Sequence, residues 1–146
     1  MATKITVLGL GKTGISVGLA LEEAKKGVIR IGFDEDSELK NLAKKKKAFD
    51  EYPTKMDDAV SQADILALDI PVDKLRMVFN AIAPFLKSNS IVINLSPIAK
   101  AADRWASELL PANVFFVNAI PAFNYENLED VNKEPIWADA HLFEGS

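Results

Sequence analysis

Ile5, Val7 and Leu8 run directly into Gly9-Leu10-Gly11-Lys12-Thr13-Gly14, and Val17, Ala20, Leu21 and Ala24 follow at helical spacing as far as Gly27. A short apolar strand, a glycine-rich turn and a helix in that order leave few folds open. The turn itself has two readings: a dinucleotide loop of the form GxGxxG, or the GKT end of a mononucleotide P-loop in which Lys12 and Thr13 would bind phosphate and magnesium. A P-loop needs a further glycine five positions before the glycine of its GK[ST]. Thr6, in the middle of the strand, occupies that position. The GxGxxG reading fits better. Gly9 permits the tight turn, Gly11 lets the backbone approach a diphosphate, and Gly14 lets the helix pack on the strand with its N-terminus toward the phosphates.

The rest of the chain continues the alternation. Val28 to Asp34 is a second strand, and Ser37 to Lys47 forms a helix whose closing lysines suit the negative end of its dipole. A weak strand near Ala48 to Tyr52 and a short helix around Asp57 to Gln62 precede the apolar run Asp64-Ile65-Leu66-Ala67-Leu68-Asp69-Ile70-Pro71. Leu75, Val78, Phe79, Ile82 and Leu86 share a helical face, Ser90 to Leu95 is the next strand, and Ile98, Ala102, Trp105 and Leu109 mark another helix. Val114 to Val117 reads as a last buried strand before Pro121. Strands alternating with helices predict a parallel sheet covered on both faces: a doubly wound, three-layer α/β/α Rossmann architecture of order 3-2-1-4-5-6. Residues 1–123 read as the dinucleotide-binding domain. Residues 124–146 read as a polar C-terminal extension leading toward an absent second domain.

Composition removes several function classes. The chain has no cysteine and one histidine, His141, so neither thiol chemistry nor a metal site is expected. A net charge of −4 gives no broad attraction for nucleic acid, and Lys44 to Lys47 read as a solvated face. Nothing resembles a signal peptide or a membrane span, so a soluble, cytoplasmic protein without a membrane partner is expected.

Asp34 lies at the end of the second strand, twenty residues beyond Gly14. A carboxylate there can accept hydrogen bonds from the adenosine ribose hydroxyls, which favours NAD over NADP. Asp34 could instead be a turn acid or helix cap, with Glu35, Asp36 and Ser37 competing for that role. NADP stays open through Lys40 or Lys44, either of which could pair with a 2′-phosphate.

Gly9 to Ser16, Gly32-Phe33-Asp34, Ala63-Asp64-Ile65 leading to Ile70-Pro71-Val72, and Leu142-Phe143-Glu144-Gly145 together resemble the nucleotide-binding domain of prephenate dehydrogenases, within the 6-phosphogluconate-dehydrogenase-like reductases. The resemblance implies an oxidoreductase that moves hydride to or from a nicotinamide dinucleotide and an unassigned small-molecule substrate, working as a homodimer. It places Gly9, Leu10, Gly11, Lys12, Thr13 and Gly14 on the diphosphate, Asp34 on the ribose, and Ile70 and Pro71 against the span from adenosine to nicotinamide. The family's catalytic histidine sits in a Gly-Gly-His-Pro stretch that corresponds here to Asn118-Ala119-Ile120-Pro121. Ile120 cannot accept a proton, and such a general base is worth about 10²–10⁴ in rate. Ser96, Lys100 and Asn118 are the remaining catalytic candidates. Two alternatives follow: a non-catalytic NAD(H)-sensing or interaction module, and a reductase of imines or β-hydroxy acids that protonates through Lys100 or Asn118. His141 is expected to be solvated.

Overall fold

A computed structural model describes residues 1–24 and 26–122. His141, the Leu142 to Gly145 motif and the extension from 124 onward lie outside the described residues. Five strands, β1 (Thr3–Leu8), β2 (Val28–Phe33), β3 (Ile65–Leu68), β4 (Ile91–Asn94) and β5 (Phe115–Asn118), form one parallel sheet of order β2-β1-β3-β4-β5. The helices are α1 (Lys12–Ala20), α2 (Ser37–Lys45), α3 (Met56–Ser61), α4 (Val72–Ile82) and α5 (Ala99–Leu109). The weak strand expected near Ala48 to Tyr52 is reduced to one parallel bridge, Ile31 to Glu51, on the outer side of β2. Counting that bridge restores the expected order, with its third member vestigial.

The register sorts the side chains. Leu8, Ile31, Leu66, Leu68 and Val92 pack with Leu75, Phe79 and Ile82 of α4 and Ala102 and Ala106 of α5. Val7 and Ala67 point to the opposite face, against Ile15 of α1, Ala43 of α2 and Phe49. Burying a side chain the size of Phe79 completely contributes about 1.5–3 kcal/mol, which is why two short apolar layers suffice to hold the sheet. Phe49 packs where α1 meets β2 only because glycines lie on both sides of it. A Cβ at Gly18 or Gly32 would stand 2.5 Å from its ring.

Arg30 of β2 is 8% exposed and lies in the same layer. Its guanidinium donates to Asp50 Oδ1 at 2.8 Å and Oδ2 at 3.2 Å and to the Gly18 carbonyl at 3.0 Å, tying β2 to α1 and to the 49–51 segment. The Arg30 hydrogen bond holds the Asp50 carboxyl below the usual carboxylate range.

Three expectations shift. The helix after the glycine loop ends at Ala20 and tightens into a 3₁₀ turn, Leu21–Ala24, so Ala24 is exposed instead of continuing the buried stripe. β3 stops at Leu68, which leaves Asp69 and Ile70 in the crevice beyond the strand. β5 is not a buried strand: Phe115 is 61% and Val117 48% exposed. Both side chains fall on the face of the sheet whose described helices, α1 and α2, pack over β1 and β2. No helix among the described residues is long and apolar enough to cross a membrane.

Candidate nucleotide site

β1 and β3 are neighbours from which the chain departs in opposite directions: β1 leads through α1 outward to β2, and β3 leads through α4 to β4. A topological switch point of this kind opens a crevice at the strand C-termini. Gly9 to Gly14 lies in it, strapped on both sides. Gly9 N–H donates to the Phe33 carbonyl at 3.0 Å, and Asp69 N–H donates to the Leu8 carbonyl at 2.8 Å. Gly9 has φ +93°, and a Cβ there would overlap the Asp69 carbonyl oxygen. A Cβ on Gly14 would overlap the Gly9 carbonyl oxygen, so this glycine sets how closely α1 approaches the turn. Gly11, the N-cap residue of α1, has an extended backbone and no side chain to cap the helix. The first-turn amides of α1 therefore receive no acceptor from the N-cap residue, and Gly14 N–H finds one in Asp69 instead. Lys12 is exposed and Thr13 half-buried beside the cleft.

Asp34 closes β2 at the same crevice. Its Oδ2 accepts the Leu10 N–H and its Oδ1 the Asp36 N–H, each at 2.8 Å. The helix cap is Asp36, whose Oδ1 accepts from Glu38 N at 2.8 Å and Leu39 N at 3.3 Å. Asp34 is thus anchored by backbone while each oxygen keeps acceptor capacity toward the cleft it lines. That cleft, of about 390 Å³, has apolar walls from Leu39, Met56, Met77 and Val78. Lys40 and Lys55 border an adjoining depression together with Asp34, the Lys40 ammonium lying 5.7 Å from the Phe33 ring centre. Lys44 instead lies over Tyr52, at 5.5 Å.

Asp69 was not among the residues expected to act, yet it stands at the centre. Its Oδ2 accepts the Gly14 N–H at 2.9 Å, and a Cβ on Gly11 would be 3.2 Å from the same oxygen. Burial pushes the carboxyl up from its ordinary value; the Gly14 bond opposes that, and the charge of Asp34 adds to it. The available signal was a charged residue closing an apolar strand at the end where ligands of such sheets bind. Asp69, Ile70 and Pro71 line both the Asp34 cleft and a second one of about 530 Å³, which Ser96 and Ile120 also border.

The sequence matches the family described as "Prephenate dehydrogenase, nucleotide-binding domain" over residues 17–139, most of the chain and beginning just after the glycine loop. The chain belongs to this family. A cyclohexadienyl dehydrogenase of Zymomonas mobilis is 27% identical over 123 residues, which are 84% of this chain and 42% of that protein. Prephenate dehydrogenase from A. aeolicus, solved in complex with hydroxyphenyl propionate and NAD+, superposes with a TM-score of 0.78 at 19% identity, covering 99% of this chain and 49% of that one. Synechocystis arogenate dehydrogenase gives 0.70 at 24% identity, covering 84% and 42%. At these identities the structural likeness establishes the fold. The chain spans less than half the length of these relatives.

In this prephenate-dehydrogenase-type domain the three catalytic candidates do not converge. Ser96 is buried at the rim of the larger cleft, where its N–H donates to Asn94 Oδ1 at 3.0 Å and its hydroxyl accepts a long bond, 3.4 Å, from Ile98 N–H. Asn118 is committed to holding the sheet end together. It accepts from Asn94 Nδ2 at 2.9 Å and donates to Asp103 Oδ1 at 2.6 Å and to the Ala99 carbonyl at 3.4 Å. Lys100, in the first turn of α5, is exposed and borders a separate surface depression with Asp103 and Trp105. Ile120 is 73% exposed at the cleft mouth.

Proposed function

We propose that this domain binds NAD, as the nucleotide-binding part of an oxidoreductase that passes hydride between nicotinamide and a small organic substrate. The observation that carries the reading is one crevice at the β1/β3 switch point in which an obligatory glycine turn, the N-terminus of α1 behind a glycine N-cap and the backbone-anchored Asp34 face the same space. Gly9, Leu10, Gly11, Lys12, Thr13 and Gly14 would supply main-chain contacts to the diphosphate, and Asp34 would accept from the ribose hydroxyls. Ile70 and Pro71 would lie along the middle of the dinucleotide, between the Asp34 cleft and the Ser96 cleft. The apolar walls of the smaller cleft suit an adenine ring. When the cofactor is bound, its nicotinamide would supply the hydride acceptor or donor; a base for the substrate's proton has to come from elsewhere than position 120. A homodimer belongs to the same proposal, and a solution mass of twice the chain would support it.

Calorimetric titration of the chain with NAD and with NADP tests the reading. Saturable NAD binding tighter than NADP is expected, and absence of binding by either would end it. NADP remains the competing cofactor through Lys40 and Lys55, which stand beside Asp34.

The exposed Ile120, in the place of the family's proton acceptor, favours a second reading in which the domain binds NAD(H) without chemistry. Hydride transfer by a protein that carries this chain together with a substrate domain would exclude it.

A further inference from the structure

A helix N-terminus that receives a diphosphate ordinarily offers free amides to it. Here the most deeply placed of those amides already has an anion. Asp69 Oδ2 takes the Gly14 N–H at 2.9 Å and stands 3.2 Å from where a Gly11 Cβ would be, in the space that the second glycine of the loop leaves open for a diphosphate. No described acidic residue lies in the first turn of α1, so this carboxylate, delivered from the end of β3, is what satisfies the helix end. We propose that Asp69 is an internal anion seated on the diphosphate-binding amide, and that it sets the affinity of the loop for dinucleotides by having to leave or be neutralised when the diphosphate arrives. The inference rests on the NAD-binding reading above and adds a residue that opposes it.

The chemistry favours displacement over coexistence. An N–H shared between two anions bonds each of them less well, and a diphosphate brought within a few ångströms of a half-buried carboxylate is repelled with little screening. Burial and the neighbouring Asp34 both raise its carboxyl from the ordinary value, while only the Gly14 bond lowers it. The other charged groups along the smaller cleft are Glu35 and Asp36 from the loop after β2 and Lys74 from α4. Lys74 is exposed and forms no ion pair with Asp69, so among the described residues the negative groups dominate there.

The experiment is a calorimetric titration of the whole chain, wild type, D69N and D69S, with NAD and with adenosine, which has no phosphate. Removing the charge should tighten NAD binding by about ten- to a hundredfold and leave adenosine binding within about threefold. Wild-type affinity for NAD should also rise as the pH falls from neutrality toward the ordinary carboxylate range, and that slope should be absent in D69N. Wild type that binds NAD while both variants bind it equally well or more weakly would overturn the Asp69 inference and leave the NAD reading standing. Failure of all three proteins to bind NAD would overturn the reading and the inference together. Binding by the variants alone supports both.

Discussion

Asp34 and Asp69 are two carboxylates on one glycine loop, and they differ in what they leave available. Asp34 accepts from Leu10, in the glycine turn, and from Asp36, and takes no amide from the first turn of α1. Asp69 accepts from Gly14, in the first turn of α1, and occupies a donor that the ligand itself would use. On the proposed reading, the same residue type on the same turn is a ligand group in one place and a competitor in the other. What decides is which donor each carboxylate takes, not the carboxylate itself.

The harshest way to break the comparison is Gly14→Ala, which removes the frame both carboxylates share. Its Cβ would meet the Gly9 carbonyl, so α1 must move away from the turn. A loss of about 3 kcal/mol or more in urea unfolding is expected, with NAD binding abolished. Next comes Asp34→Ala, which leaves the Leu10 and Asp36 amides without their acceptor. We expect a cost of about 1–2 kcal/mol in stability and a fall of about tenfold or more in NAD affinity, measured by denaturant melts and calorimetry. An unchanged NAD to NADP ratio in Asp34→Asn would show that Asp34 does not read the ribose.

The pH dependence sharpens the contrast. A carboxyl whose folded-state value is raised stabilises the fold only below its unfolded value, and that contribution is lost as the pH rises through the folded value. Asp69 is such a group. Asp50 is the opposite case: its lowered value gives stability that is present above the unfolded value and is lost as the pH falls through the folded one. Wild type should therefore lose stability relative to D69N on going from acid toward neutral pH, and gain relative to D50N over the acid range, both read from thermal melts in matched buffers. The smallest effect is expected from Lys100→Ala. This exposed side chain lies away from both clefts, so NAD affinity should stay within about twofold and stability within about 0.5 kcal/mol.

Much of the fold was legible because the relevant signals are local. Apolar runs bounded by glycine and proline marked β1 to β4, and the spacing of Leu75, Phe79 and Ile82 marked α4. The last strand was misjudged because Phe115 and Val117 look like core by composition. Burial depends on what covers that face of the sheet, and hydropathy does not report coverage. The place of Asp34 beside the glycine turn was legible from its spacing to the glycines. What was not legible is that Asn118, one of three catalytic candidates, bonds Asn94, Asp103 and Ala99, partners distant in sequence.

By itself the sequence determined the glycine turn, because only residues without Cβ fit beside the Asp69 and Gly9 carbonyls, and the strand and helix order, because hydrophobic period is written residue by residue. Tertiary structure alone decided that Asp69 meets Gly14. The two are 55 positions apart, and only the parallel pairing of β1 with β3 brings the end of one strand to the helix that follows the other. A hydrogen bond formed across a sheet depends on which strands become neighbours, and that is settled when the whole core packs.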